Sequence, residues 1–170
     1  MTRLALIIIL LLAGAGADAS ASVRARERSL STSESPCPAK LPATIVSARP
    51  GAQQELVPAG PRSLLLCSYH GLNPASTAAR LAQTRTVGGA DALGWLVGAF
   101  NRLRARSGLS GCPMDDGSAI VARFIYTTGP TDPVSVGLTG CRIVQNGHLT
   151  RTASLEPGPA LIDRLESLLG

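Results

Sequence analysis

The residues best equipped for chemistry in this chain are four cysteines, Cys37, Cys67, Cys112 and Cys141. A cysteine serves as a metal ligand, a nucleophile or half of a disulfide, and spacing and compartment decide which. Cys67 and His70 have the C-x-x-H form of half a zinc site, but no second Cys/His pair has a matching spacing. All four cysteines lie downstream of an export signal, in which Arg3 precedes an apolar run from Leu4 to Leu12 and Ala17-Asp18-Ala19 supplies small residues at a cleavage site. The even count then reads as two structural bridges, with no metal and no cofactor.

Four cysteines allow three pairings, and composition does not choose among them. A hairpin expected between Cys112 and Cys141 returns the chain close to its start, which favours that bridge and leaves Cys37 to join Cys67. A bridge closing a loop of this length contributes about 3.5 kcal/mol in the chain-entropy description, a large share of a small domain's stability. Reduction is expected to unfold the domain or nearly so.

The other reactive side chains form no catalytic constellation. Asp115-Asp116-Gly117 lacks the ligand alternation of a calcium loop and reads as a turn that caps the next strand. Only His70 and His148 are histidines, no G-x-S-x-G elbow is present, and no Ser, His and acid converge by spacing. An enzyme would need a pocket gathering His70 or His148 with Asp115 or Asp116. Gly88-Gly89-Ala90-Asp91 leads into a helix N-terminus, where the Asp91 carboxylate occupies the place of an anion. The chain is therefore read as non-enzymatic.

Trp95, Arg102 and Arg106 stand apart. With Asp91 as N-cap, a helix to about Arg106 places Leu93, Leu96, Val97, Phe100 and Leu103 on one face and Trp95 nearly opposite, beside Ala99, Arg102 and Arg106. Gly94 and Gly98 between the faces suit close approach by a neighbouring backbone. An outward Trp flanked by arginines has the composition of an interface hot spot. The competing reading is that another segment of the same domain covers Trp95.

The elements that position these groups follow from periodicity. Strands are expected at Ala43 to Ala48, Ser63 to Tyr69 and Arg80 to Val87, the last pairing back as a hairpin partner. Ser118 to Tyr126 and Val134 to Thr139 alternate as two antiparallel strands, in a register pairing Tyr126 with Val134, Phe124 with Val136 and Ala122 with Leu138. Asn146-Gly147 separates Cys141 to Gln145 from His148 to Ala153 as a further hairpin. Pro159 opens a last helix with Leu161, Ile162, Leu165, Leu168 and Leu169 along one stripe. The expected fold is α+β, an antiparallel sheet of about five strands with two amphipathic helices on one face and two disulfides.

Residues 1–19 read as the signal peptide, 20–36 as a disordered spacer poor in apolar periodicity, and 37–170 as a single domain. The leader is too short to span a bilayer, so a secreted chain without stable membrane insertion is expected. The net charge of +5 comes almost wholly from arginine, Lys40 being the single lysine. The arginines are dispersed and only five aromatics accompany them, which argues against a nucleic-acid partner. A monomer that binds a protein or a cell-envelope component is the expectation.

Leu66-Cys67-Ser68-Tyr69 with Gly71-Leu72-Asn73, then Cys112-Pro113-Met114-Asp115-Asp116-Gly117-Ser118, Gly140-Cys141-Arg142 and Val144-Gln145-Asn146-Gly147 resemble a family of exported actinobacterial two-disulfide proteins with no established activity. The likeness runs from about Cys67 to the C-terminus and implies architecture and compartment. Cys112-Pro113-Met114 also resembles the protease-binding loop of the Streptomyces subtilisin-inhibitor family, which are small secreted two-disulfide proteins. Asp115-Asp116 replaces the apolar residue expected after the Met, Cys37 and Cys67 are more widely spaced than that family's first bridge, and a hairpin and helix continue beyond Cys141. Protease inhibition through Met114 is what that second resemblance implies.

Overall fold

The computed structural model describes residues 37–71, 79–106, 111–112 and 114–170. The proposed leader and spacer, the Leu72-Asn73-Pro74 turn, the Ser107-Gly108 helix stop and Pro113 lie outside the described residues. The elements are β1 (Ser63–Tyr69), β2 (Leu81–Val87), α1 (Ala90–Asn101), β3 (Arg104–Ala105), β4 (Ala119–Ile125), β5 (Asp132–Gly137), β6 (Ile143–Gln145), β7 (Thr150–Thr152) and α2 (Gly158–Leu169). They form one seven-stranded antiparallel sheet in the order β2-β1-β4-β5-β6-β7-β3. The α+β class with two disulfides stands, and the strand count among the described residues is seven rather than about five.

Alternation in the strands sends side chains to two different cores. Leu64 and Leu66 of β1, Ile120, Ala122 and Phe124 of β4, and Val134 and Val136 of β5 face both helices, meeting Leu93, Leu96 and Phe100 of α1 and Leu161 and Leu165 of α2 in one buried cluster. Phe100 packs edge to face on Phe124, ring centroids 5.5 Å apart. The opposite face is not left to solvent. Cys67, Tyr69 and Val121 lie under Cys37 and Ala79 in a second, smaller cluster, with Leu41 and Ile45 against it. Residues 43–48, expected as a strand, cross this face without strand pairing, because their anchors are single contacts rather than a ladder: Ser47 N–H donates to the Asn146 carbonyl at 2.8 Å.

Four further expectations are corrected. The helix is capped by Gly89 at φ 95° rather than by the Asp91 side chain, and it ends at Asn101 instead of Arg106. Its end is set by tertiary pairing: Leu103 is drawn into the core, and Arg104 and Ala105 then pair with Thr152 and Arg151 at the far edge of the sheet. Ala99, expected on the outward face, is buried. The β4–β5 register is four residues away from the expected one, with Ala122 opposite Val134 and Ile120 opposite Val136. An even slip keeps the same side chains on the core face, so patterning alone does not discriminate between the two. Pro133, whose type favours a turn, lies inside β5, opposite Arg123 and beyond the reach of β6, where no ladder donor is required of it.

Asn146-Gly147 does close a hairpin, though as a four-residue loop between Gln145 and Thr150. Its asparagine is fully buried. Asn146 Nδ2 donates to the carbonyls of Ala52, Glu55 and Leu56, while Oδ1 accepts from the backbone N–H groups of His148 and Leu149. Gly147, at φ 89°, brings its Cα against the strap formed by residues 43–48, where a Cβ would lie 2.7 Å from the Ile45 carbonyl oxygen. Asn101, at the end of α1, pairs with both the N–H and the carbonyl of Val57. Two asparagines thus hold residues 52–57 as if they were an extra strand.

Replacing Asn146→Ala strands these buried carbonyls and is expected to cost about 3 kcal/mol, read as a lower urea midpoint of the oxidised protein. Asn146→Asp retains the acceptor but sets a carboxylate against three carbonyls, so at neutral pH it should be no more stable than the alanine variant.

Candidate functional site

Trp95 sits on the outer side of α1 with 43% of its surface exposed. Arg102, one residue past the helix, folds back along it so that its Nη1 lies 3.0 Å from where a Cβ on Gly98 would be. Trp95, Gly98 and Arg102, at i, i+3 and i+7, therefore share a stripe. The glycines do not admit a neighbouring backbone as expected: the space at Gly94 is open and that at Gly98 is taken by the guanidinium. Arg106 is parted from Trp95 by the turn into β3 and points elsewhere, its Nη2 3.9 Å from Cys112 Sγ. Arg104 of β3 is exposed and lies opposite Thr152, whereas Arg151 of the adjoining β7 lies opposite Ala105 and so on the other face of the sheet.

Cys37 is joined to Cys67 and Cys112 to Cys141. The first bridge is sealed, Cys67 at 0% and Cys37 at 8% exposure, whereas both residues of the second are half-buried. Beyond the second bridge, Met114 projects with 92% of its surface exposed and a left-handed φ of 61°. A knot of polar bonds fixes the residues after it. Asp115 Oδ1 accepts from Gly117 N–H, Asp116 Oδ1 accepts from Ser118 N–H at 2.8 Å, and the Thr139 hydroxyl donates to Asp116 at 2.7 Å. The Thr139 bond, followed by those from Ser118, lowers the Asp116 pKa to about 2. Gly140 makes room for this knot, since a Cβ there would lie 2.6 Å from that of Asp115.

A third place carries no signal in the sequence. An open cleft of about 430 Å³ is lined by Ser47, Arg49, Gln53, Gln54 and His148 among others. His148 Nε2 meets the Ser47 carbonyl at 2.8 Å. Behind the cleft, the Arg49 guanidinium stacks on Tyr126, its carbon 3.2 Å from the ring centroid, and donates to the carbonyls of Thr128 and Pro130. Asp132 is fully buried beside them, and neither of its oxygens has a partner of hydrogen-bond geometry. Burial raises its pKa; the nearby Ser47 hydroxyl, Arg49 and His148 oppose the rise without cancelling it.

Comparison with protein families, curated proteins and solved structures finds no match to this chain. Chemistry must therefore be read from these three places. Ser47, His148 and Asp132 adjoin one another, but the imidazole meets the Ser47 carbonyl rather than its hydroxyl, so the arrangement is not that of a base-activated serine. Asp115 and Asp116 do not line the His148 cleft and are engaged in their own turn. Among the described residues no group of three metal-ligating side chains converges, and no helix is long and apolar enough to cross a membrane. Sequence reasoning misses Asp132 because Thr131-Asp132-Pro133 has the composition of a turn, and nothing local marks an aspartate that a strand turns inward.

The raised pKa of Asp132 has a signed consequence. Between the ordinary value of 3.8 and its folded-state pKa the native protein binds the extra proton, so this group's contribution to stability falls as pH rises through that window. Asp132→Asn should remove that slope. Urea midpoints measured against pH are expected to separate in favour of the variant as pH climbs above 4, and parallel curves would refute the assignment.

Proposed function

We propose that this chain is an exported, non-enzymatic binding module that uses Trp95 and the arginines around it to hold an anionic component of the cell envelope. The observation that carries the reading is the exposed Trp95 with the Arg102 guanidinium laid along the same stripe of α1. A half-exposed indole offers a large, rigid contact area, and arginines beside it favour acidic partners. The two bridges support an oxidising destination, in keeping with the leader read from the sequence.

The test is co-sedimentation of the full chain with a purified bacterial cell-wall preparation. Replacing Trp95 and Arg102 together by Ala is expected to weaken binding about tenfold or more while leaving the thermal midpoint nearly unchanged. Because the chain has a single tryptophan, its fluorescence should shift on binding and return in high salt. Equal sedimentation of variant and wild type would end the proposal.

A second reading, protease inhibition, draws on Met114, the most exposed of the large apolar side chains among the described residues, held beside a bridge. Substrate-like recognition uses extended backbone, and a φ of 61° at Met114 weighs against it. Subtilisin is expected to retain full activity with about micromolar protein present, a concentration at which a protease inhibitor of ordinary affinity saturates its target. Stoichiometric inhibition abolished by Met114→Asp would reverse the preference.

A further inference from the structure

We propose that the Cys112–Cys141 bridge is a thiol-exchange site, which a small thiol or a dithiol reductase opens while the Cys37–Cys67 bridge stays closed. The two bridges differ in the features that govern exchange. Cys37 and Cys67 lie within an apolar cluster with Tyr69, Ala79 and Val121, so an attacking thiolate has neither a path to them nor solvation when it arrives. Cys112 and Cys141 are half-buried and belong to no strand or helix.

Charge gives the exchange a direction. The Arg106 guanidinium stands 3.9 Å from Cys112 Sγ, and a cation there stabilises the thiolate that leaves. The incoming thiolate therefore bonds to Cys141 Sγ as the disulfide bond breaks, and the electron pair departs on Cys112. The products are a mixed disulfide at Cys141 and a Cys112 thiolate, so the sulfurs and charge balance. With a dithiol reductase, its second thiolate then attacks the mixed disulfide, leaving Cys141 as a thiolate and the reductase oxidised.

Opening does not release the loop. Thr139, two residues before Cys141, stays hydrogen-bonded to Asp116, four residues after Cys112, and Gly140 remains against Asp115. These contacts keep the sulfurs near one another at high effective concentration, which makes closure as ready as opening. The bridge thus has access, a polarised leaving group and a template for reclosure.

The test treats the native full-length protein with reduced glutathione, quenches with iodoacetamide and maps the peptides by mass spectrometry. Glutathione should appear on Cys141 and carbamidomethyl on Cys112, with Cys37–Cys67 intact and the circular dichroism native. Arg106→Gln should slow opening about tenfold, and Arg106→Lys should stay within about threefold of wild type, because only the charge is required. Three results would overturn the proposal: both bridges opening together, glutathione on Cys112 instead, or a rate indifferent to Arg106→Gln.

Discussion

The structure depends on one buried amide. Asn146 ties the β6–β7 turn to the carbonyls of Ala52, Glu55 and Leu56 and fixes the turn itself through the N–H groups of His148 and Leu149. A segment with no regular structure, residues 52–57, thereby contributes Leu56 and Val57 to the main core. Backbone carbonyls carried into an apolar interior need donors, and here a side chain supplies them where a neighbouring strand would otherwise have been required. The same backbone receives Asn101 from α1, and the Tyr126 hydroxyl donates to the Pro58 carbonyl at 2.6 Å. Helix, hairpin and irregular chain are joined at a single place.

Around that join, the sheet separates two kinds of stability. On the helix face, burial of leucine, isoleucine and phenylalanine from several elements supplies the apolar drive to fold. On the other face the smaller cluster relies on the Cys37–Cys67 bridge and on an extended strap anchored at Ser47. The polar cleft lies where the segment after Ser47 meets the β6–β7 turn, and Asp132 is buried behind it near Arg49 and Tyr126.

The strands with strong alternation, the helix stripe from Leu161 to Leu169 and the two bridges were legible in the sequence because each depends on local periodicity or on counting. The illegible features depend on distant partners. The end of α1 at Asn101 reflects pairing with β7 roughly fifty residues later, so a periodicity that runs on through Leu103 misleads. Trp95 and Arg102 were recognisable as a pair on one stripe, but Arg106 left the group once the helix stopped. Asp132 and Asn146 have the types of turn residues, and their burial comes from the segments that pack over them.

The edges of the sheet bear on how molecules of this chain meet. At one margin, β3 is only two residues long; at the other, β2 is covered at its start by the bridge between Lys40 and Arg80 and continues with exposed Thr84, Arg85 and Thr86. The register shift between Ser68 and Tyr69 further disrupts the flat template that an incoming strand would need. Shortness, a strap, a charge and a bulge thus each blunt an otherwise adhesive border. Two such borders laid edge to edge would find no long, flat ladder to extend.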